Sequence, residues 1–215
     1  MLEQIAIPTS RRFGTLSPLR YPGGKASLAG LFADLIAELG MHGATYVEPY
    51  AGGAGAGIAL LREGIIDHLV INDFDKAVYA FWHSVTHHND DLVGLVRDAE
   101  LNVREWRRQR EIYSEGDIAD LLKLGFAFFY LNRTNRSGVL RAGVIGGNAQ
   151  TGNYLIDARY NPYTLADRIR ALGELAGQIT VIRKDRRTVI REYGSNPDAF
   201  LYVDPLMSGL ALAFT

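Results

Sequence analysis

No cysteine occurs among the 215 residues, which excludes disulfides and thiolate-bound metals and leaves the fold to its core. Histidine is scarce too, with five in the chain. His83 and His87 stand four apart with His88 adjacent, but no carboxylate or third ligand lies at ligand spacing. The trio reads as a solvated helix end, and no metal is expected. No apolar run approaches the roughly 18 residues of a membrane span, and the start, Met-Leu-Glu-Gln-Ile-Ala-Ile-Pro, lacks the regions of a signal peptide. A cytoplasmic monomer without membrane contact is expected. Net charge is nearly absent as well, at −1. That balance hides two unequal stretches: residues 1–90 hold six Lys/Arg against nine Asp/Glu, and residues 133–191 hold eleven against four. A net +7 on the later stretch suggests a nucleic-acid face.

What is present begins with enough apolar residues, 47%, for one real core, as a single domain with room for an insertion. The most informative stretch is Tyr46-Val-Glu-Pro-Tyr-Ala-Gly-Gly-Ala-Gly-Ala-Gly57. Tyr46 and Val47 read as the end of a buried strand, Pro49 stops it, and the glycines let backbone approach a ligand before a helix starts at about Ile58. Such a junction in an open α/β sheet receives a nucleotide-like ligand beside the helix N-terminus. The Gly-x-Gly-x-x-Gly fingerprint of dinucleotide sites fails, because Ile58 or Ala54 falls on a required glycine. Gly53-x-Gly55-x-Gly57 preceded by the acid Glu48 fits the looser pattern of S-adenosylmethionine sites. His68 to Asp73 reads as a second strand ending in an acid that can accept hydrogen bonds from ribose, and Phe74 can stack on adenine. A glycine-rich turn alone is a common packing device; the order strand, loop, helix, strand, acid favours a nucleoside cofactor.

Upstream, Leu19-Arg-Tyr-Pro-Gly-Gly-Lys25 is a turn followed by an amphipathic helix, Leu28 to Leu39, closed by Gly40. A lysine at a helix start opposes the macrodipole, so Lys25 is expected to have an anionic partner. Downstream, Ala77 to Val85 reads as a helix and residues 90–131 as a long helical excursion resembling an inserted lobe. Its Phe126, Phe128 and Phe129 are assigned to packing, with Tyr130 left open to base stacking. Arg133, Asn135, Arg136 and Arg141 then stand in the glycine-rich stretch Asn132 to Asn148. Arginine and asparagine make bidentate contacts with base edges, and glycines admit phosphates, so this composition suits a DNA-reading loop off any helix. A helix near Thr164 to Leu175, a strand Ile179 to Ile182, a helix near Arg187 to Tyr193 and a strand Phe200 to Asp204 restore the α/β pattern. Another acid thus ends a strand at the same crevice.

With Arg20-Tyr-Pro-Gly-Gly-Lys25, Val47-Glu-Pro-Tyr-Ala-Gly-Gly, Ile71-Asn-Asp-Phe-Asp75, Tyr130-Leu-Asn-Arg-Thr-Asn-Arg-Ser-Gly138 and Leu201-Tyr-Val-Asp-Pro205 in this order, the chain resembles the Dam-type DNA adenine-N6 methyltransferases from about residue 17 to 205. The resemblance implies an α/β, Rossmann-like methyltransferase sheet with an inserted, mostly helical target-recognition lobe. It implies a tail at 1–16, cofactor binding in 17–88, the lobe in 89–156, and a return to the catalytic domain in 157–215. By it, Tyr21, Lys25, Glu48, Pro49, Tyr50, Gly52, Gly53, Gly55, Asp73 and Phe74 hold S-adenosyl-L-methionine. Double-stranded DNA meets Arg133, Asn135, Arg136 and Arg141, while Asp204 and Pro205 open the catalytic motif. There a carboxylate and a proline carbonyl accept the two amino protons of a flipped-out adenine and favour the nucleophilic form of its nitrogen. The family's motif continues Pro-Tyr where this chain has Leu206 and Met207, and the ten residues Leu206 to Thr215 cannot supply the family's remaining strands. An incomplete sheet and poor turnover are therefore expected. The competing readings are a remnant that binds DNA or cofactor without turnover, and a nicotinamide oxidoreductase, which Ile58 and the basic loop disfavour.

Overall fold

The computed structural model describes residues 16–20 and 25–204. Tyr21, Pro205, Leu206 and Met207, with the expectations attached to them, lie outside the described residues.

Short runs of β-branched and aromatic residues form four parallel strands: β1 (Thr45–Glu48), β2 (His68–Asn72), β3 (Ile179–Ile182) and β4 (Ala199–Leu201). Their order across the sheet is β3-β2-β1-β4, the order with which doubly wound nucleotide-binding sheets begin. The architecture is α/β and compatible with a Rossmann-like fold. The chain walks from β1 out to β3 and then returns to lay β4 on the other side of β1. That reversal leaves a crevice between the carboxyl ends of β1 and β4. Among the described residues β4 is an edge strand.

Eight α-helices occur among the described residues: α1 (Ala29–Glu38), α2 (Gly55–Arg62), α3 (Lys76–His87), α4 (Asn89–Arg97), α5 (Val103–Glu115), α6 (Leu121–Thr134), α7 (Pro162–Gly173) and α8 (Arg186–Gly194). Their starts carry local signals. Asp75, Asn102, Asp120 and Asn161 accept amide hydrogen bonds from the first turns of α3, α5, α6 and α7, and Pro162 opens α7 where its missing N–H costs nothing. Side chains alternate across the sheet. Tyr46, Leu69, Ile71 and Ile179 enter one large apolar cluster with Phe32, Ile58, Phe81 and Phe129, whereas Val47 and Val70 on the other face meet Val189 of α8.

Residues 89–156 share the large cluster, since Leu92, Val96, Trp106 and Leu124 all belong to it. The joint is α3 on α6. A Cβ placed on Gly125 would stand 2.7 Å from the carbonyl oxygen of Ala80, so glycine sets how closely the two backbones cross. Phe81 stacks on Phe129 at 5.6 Å beside it. Phe126, Phe128 and Phe129 are core, as expected. Tyr130 is too: it is fully buried and its hydroxyl donates to the Glu100 carbonyl at 2.8 Å, which closes it to base stacking.

Three of the boundaries that differ from expectation bear on the candidate site and the basic loop. Helix α2 starts at Gly55 rather than Ile58, because Gly52 at φ +48° and Ala54 at φ +46° complete a left-handed turn first. Helix α6 runs through Thr134, so Arg133 lies in its last turn instead of a loop. Strand β4 stops at Leu201, with only the Tyr202 amide continuing its pairing, to the Val47 carbonyl at 3.0 Å.

Candidate functional site

Three carboxylates collect at the carboxyl ends of β1, β2 and β4, each held by a different partner. Glu48, the last residue of β1, is buried and accepts the Gly57 amide at 3.0 Å. Gly57 lies in the first turn of α2, where a Cβ would strike the Leu69 side chain and stand 3.2 Å from Glu48 Oε1. Its bareness brings helix and strand close enough for this bond. Burial pushes Glu48 up to about 7. The Gly57 amide opposes that shift, Asp204 adds to it and Lys25 opposes it less strongly.

Asp73 follows β2 directly. One of its oxygens accepts the Gly52 amide at 3.0 Å and the other the Asp75 amide at 2.9 Å. Burial raises its pKa and the two amides work against that shift. The glycine loop is thereby tied to the acid beside it. It is tied twice more, by Trp82 Nε1 donating to the Gly52 carbonyl at 2.8 Å and Ser17 Oγ donating to the Gly53 carbonyl at 2.6 Å. Pro49 is held through its carbonyl, which accepts from Asn72 Nδ2 at 3.0 Å.

Asp204, three residues past β4, forms an ion pair with Lys25. Lys25 thus has the anionic partner expected of it, and the pair's hydrogen bond raises the ammonium's pKa. Tyr202 adjoins them, its hydroxyl pushed up by burial and then by Asp204. A Cβ on Gly55 would stand 3.2 Å from the Ala26 amide nitrogen, so the glycine loop also packs on the segment that carries Lys25. Tyr50 and Phe74 sit at the margin under arginines. Arg186 lies 5.7 Å over the Tyr50 ring and Arg183 lies 5.6 Å over Phe74, which is 65% exposed. Lys25, Glu48, Gly52, Asp73 and Asp204 therefore converge on one crevice at the point where strand order reverses, the place where ligands of open α/β sheets bind.

The basic region lies past α6. Arg133 is half-buried and its Nε has no hydrogen-bond partner among the described residues. Burial, followed by the charges of Arg20 and Arg168, lowers its pKa to about 10. Asn135 corrects the expectation that it contacts DNA. Its side chain is fully buried, accepts from Trp106 Nε1 at 2.7 Å and donates to the carbonyls of Val139 and Leu140, each at 3.0 Å. Every polar atom of that amide is engaged in shaping the loop. Arg136 and Arg141 are exposed. Backbone bonds from Arg136 to Gly143 at 3.0 Å and from Ile145 to Thr134 at 2.9 Å hold the loop against the helix end.

Two arginines were missed in the sequence. Arg107 and Arg110 of α5 line a cavity together with Arg136; the available signal was Arg110 four residues after Trp106, the helical spacing for a cation to lie over a ring. Among the described residues no group of three or more His, Asp or Glu could hold a metal, and no helix is long and apolar enough to cross a membrane. Compared with family profiles and with curated proteins, the chain matches none.

Proposed function

We propose that the chain is a site-specific DNA methyltransferase, transferring a methyl group from S-adenosylmethionine to N6 of an adenine flipped out of duplex DNA. The observation that carries this reading is the convergence of Glu48, Asp73, the Lys25–Asp204 pair and the glycine loop at the switch point of the sheet. The residues fit such a cofactor. Gly52 and Gly53 put no side chain into the crevice, Asp73 has lone pairs left after its two amide bonds, and Phe74, 65% exposed under Arg183, leaves ring surface for adenine to stack on. The chemistry that S-adenosylmethionine supplies there is an electrophilic methyl group. Asp204 accepts one proton of the target amino group in a hydrogen bond, and the Pro205 carbonyl takes the other by the family resemblance. Lys25, ion-paired with Asp204, holds that carboxylate at the mouth of the crevice. The arginine-rich region past α6 meets the duplex.

Calorimetry with S-adenosylmethionine and, separately, with NAD tests the cofactor. Asp73→Ala removes a charged acceptor worth about 1.5 to 3 kcal/mol, so affinity for S-adenosylmethionine should fall roughly 10- to 150-fold. Unchanged affinity overturns the assignment. A second reading, binding without turnover, is favoured by the commitment of Asp204 to Lys25. Counting labelled methyl groups on adenine in duplex DNA separates the two.

A further inference from the structure

Helix α5 distributes its charges unevenly. Arg104 and Arg108 are engaged by Glu100 and Glu105 at 3.0 and 3.4 Å. Arg107 and Arg110, three apart and so on one face, have no carboxylate partner among the described residues. Their face looks onto a cavity of about 270 Å³ whose remaining wall is Trp106, Arg136, Gly143, Val144, Gly147 and Asn148. Three arginines and no acid line it.

The cavity is built rather than incidental. The Arg110 guanidinium lies 5.1 Å over the Trp106 ring, and that ring is fixed in turn by its hydrogen bond to the buried Asn135. The opposite wall is backbone: an antiparallel bridge joins Asn135 to Val144, and the Gly147 amide donates to the Val144 carbonyl at 3.1 Å. A Cβ on Gly143 would stand 3.1 Å from Arg136 Nη2, so glycine lets that guanidinium lie along the chain. Gly147, at φ +71° with open space where a Cβ would be, leaves the mouth clear. Three cations held around one space repel each other until an anion joins them, and planar guanidiniums are the groups that grip phosphate oxygens.

We propose that this pocket seats a backbone phosphate of double-stranded DNA, positioning the duplex beside Arg136 without reading its sequence. The inference rests on the duplex partner proposed above and adds a contact from α5. Phosphate contacts of this kind orient a duplex and carry no sequence information.

The test uses the full chain and a short fluorescent duplex, with affinity measured by anisotropy over a series of salt concentrations. The double variant Arg107→Gln with Arg110→Gln should lower the slope of log K against log salt by about 1.8 and weaken binding roughly 10- to 60-fold near 0.1 M salt. The control Arg104→Gln with Arg108→Gln removes the same charge from the acid-paired positions and should leave the slope nearly unchanged. Thermal melts establish that both variants fold. Equal effects of the two variants, or none from the first, overturn the pocket while leaving the methyltransferase reading intact. Failure of the unaltered chain to bind duplex, or saturation of the pocket by inorganic phosphate that duplex cannot displace, also overturns it. Calorimetry with S-adenosylmethionine then reports separately on the cofactor crevice, which neither variant touches.

Discussion

The crevice at the end of the sheet and the loop past α6 are opposites in charge and in how their polar groups are held. In the crevice Glu48 is buried, Asp73 and Asp204 are half-buried, and backbone amides or Lys25 fix all three before any ligand arrives. In the loop the arginines stay largely open, and only their foundation, Asn135, is enclosed. Carboxylates locked by amides are preorganised for one small ligand of defined shape, since nothing needs to reorganise when it enters. Arginines anchored at the base and free at the tip suit a long, repetitive polyanion, whose attraction is electrostatic and tolerant of position. One chain thus carries a rigid site and an adaptable one on a shared core.

The largest effect comes from breaking the frame that both regions share. Gly125→Ala drives a methyl into the backbone of α3, where the Ala80 carbonyl cannot yield. Overpacking against rigid backbone should cost about 3 kcal/mol, read as a lowered denaturant midpoint with both proposed binding activities impaired together. Next comes a variant that sharpens the contrast. Glu48 ionises near 4.5 when unfolded and at about 7 when folded. Between those values only the unfolded chain has released the proton, so stability falls as pH rises through this window and levels off above it. The full drop is about 3 kcal/mol. Glu48→Gln still accepts the Gly57 amide but has no proton to lose, and chemical denaturation at pH 5 and pH 8 should show that slope removed. The smallest effect falls on the loop. Trp106→Phe leaves Asn135 Oδ1 buried without its donor, at about 1 to 2 kcal/mol. Duplex affinity should decline while S-adenosylmethionine affinity stays as it was, and a loss of both would show that the two regions are not independent.

Much of the crevice is legible in the sequence because its grammar is local. A β-branched run followed by an acid, as in His68 to Asp73, announces both the strand and the carboxylate at its end. The Lys25 partner could be anticipated from helix electrostatics but not identified, since nothing local links that residue to Asp204. Alanine gives no sign of adopting φ above zero, so the left-handed Ala54 and the early start of α2 were hidden. The loop was the less readable region. Asparagine has the same composition value whether it faces bases or core, and Asn135 was misread because Trp106, its partner, comes from another helix. Arg133 was placed in a loop because glycine and asparagine follow it, whereas packing of Phe129 and Tyr130 carries α6 one turn further.

The pairing of Asn132 with Arg20 carries a consequence for how the molecule assembles. The Asn132 side chain accepts the Arg20 amide and donates to the Arg20 carbonyl, both at 2.7 Å, imitating a strand neighbour with a single residue. Its surface exists only once α6 has formed and settled on α3. The stretch 16–20 is therefore held to α6 across a separation of 112 residues, and forming that contact closes a long loop. Ser17, which reaches the glycine loop from that same stretch, locks into position with it. A short piece of chain tied down by a few side-chain bonds thus steadies the crevice, so local opening there would loosen the candidate site before the fold itself gives way.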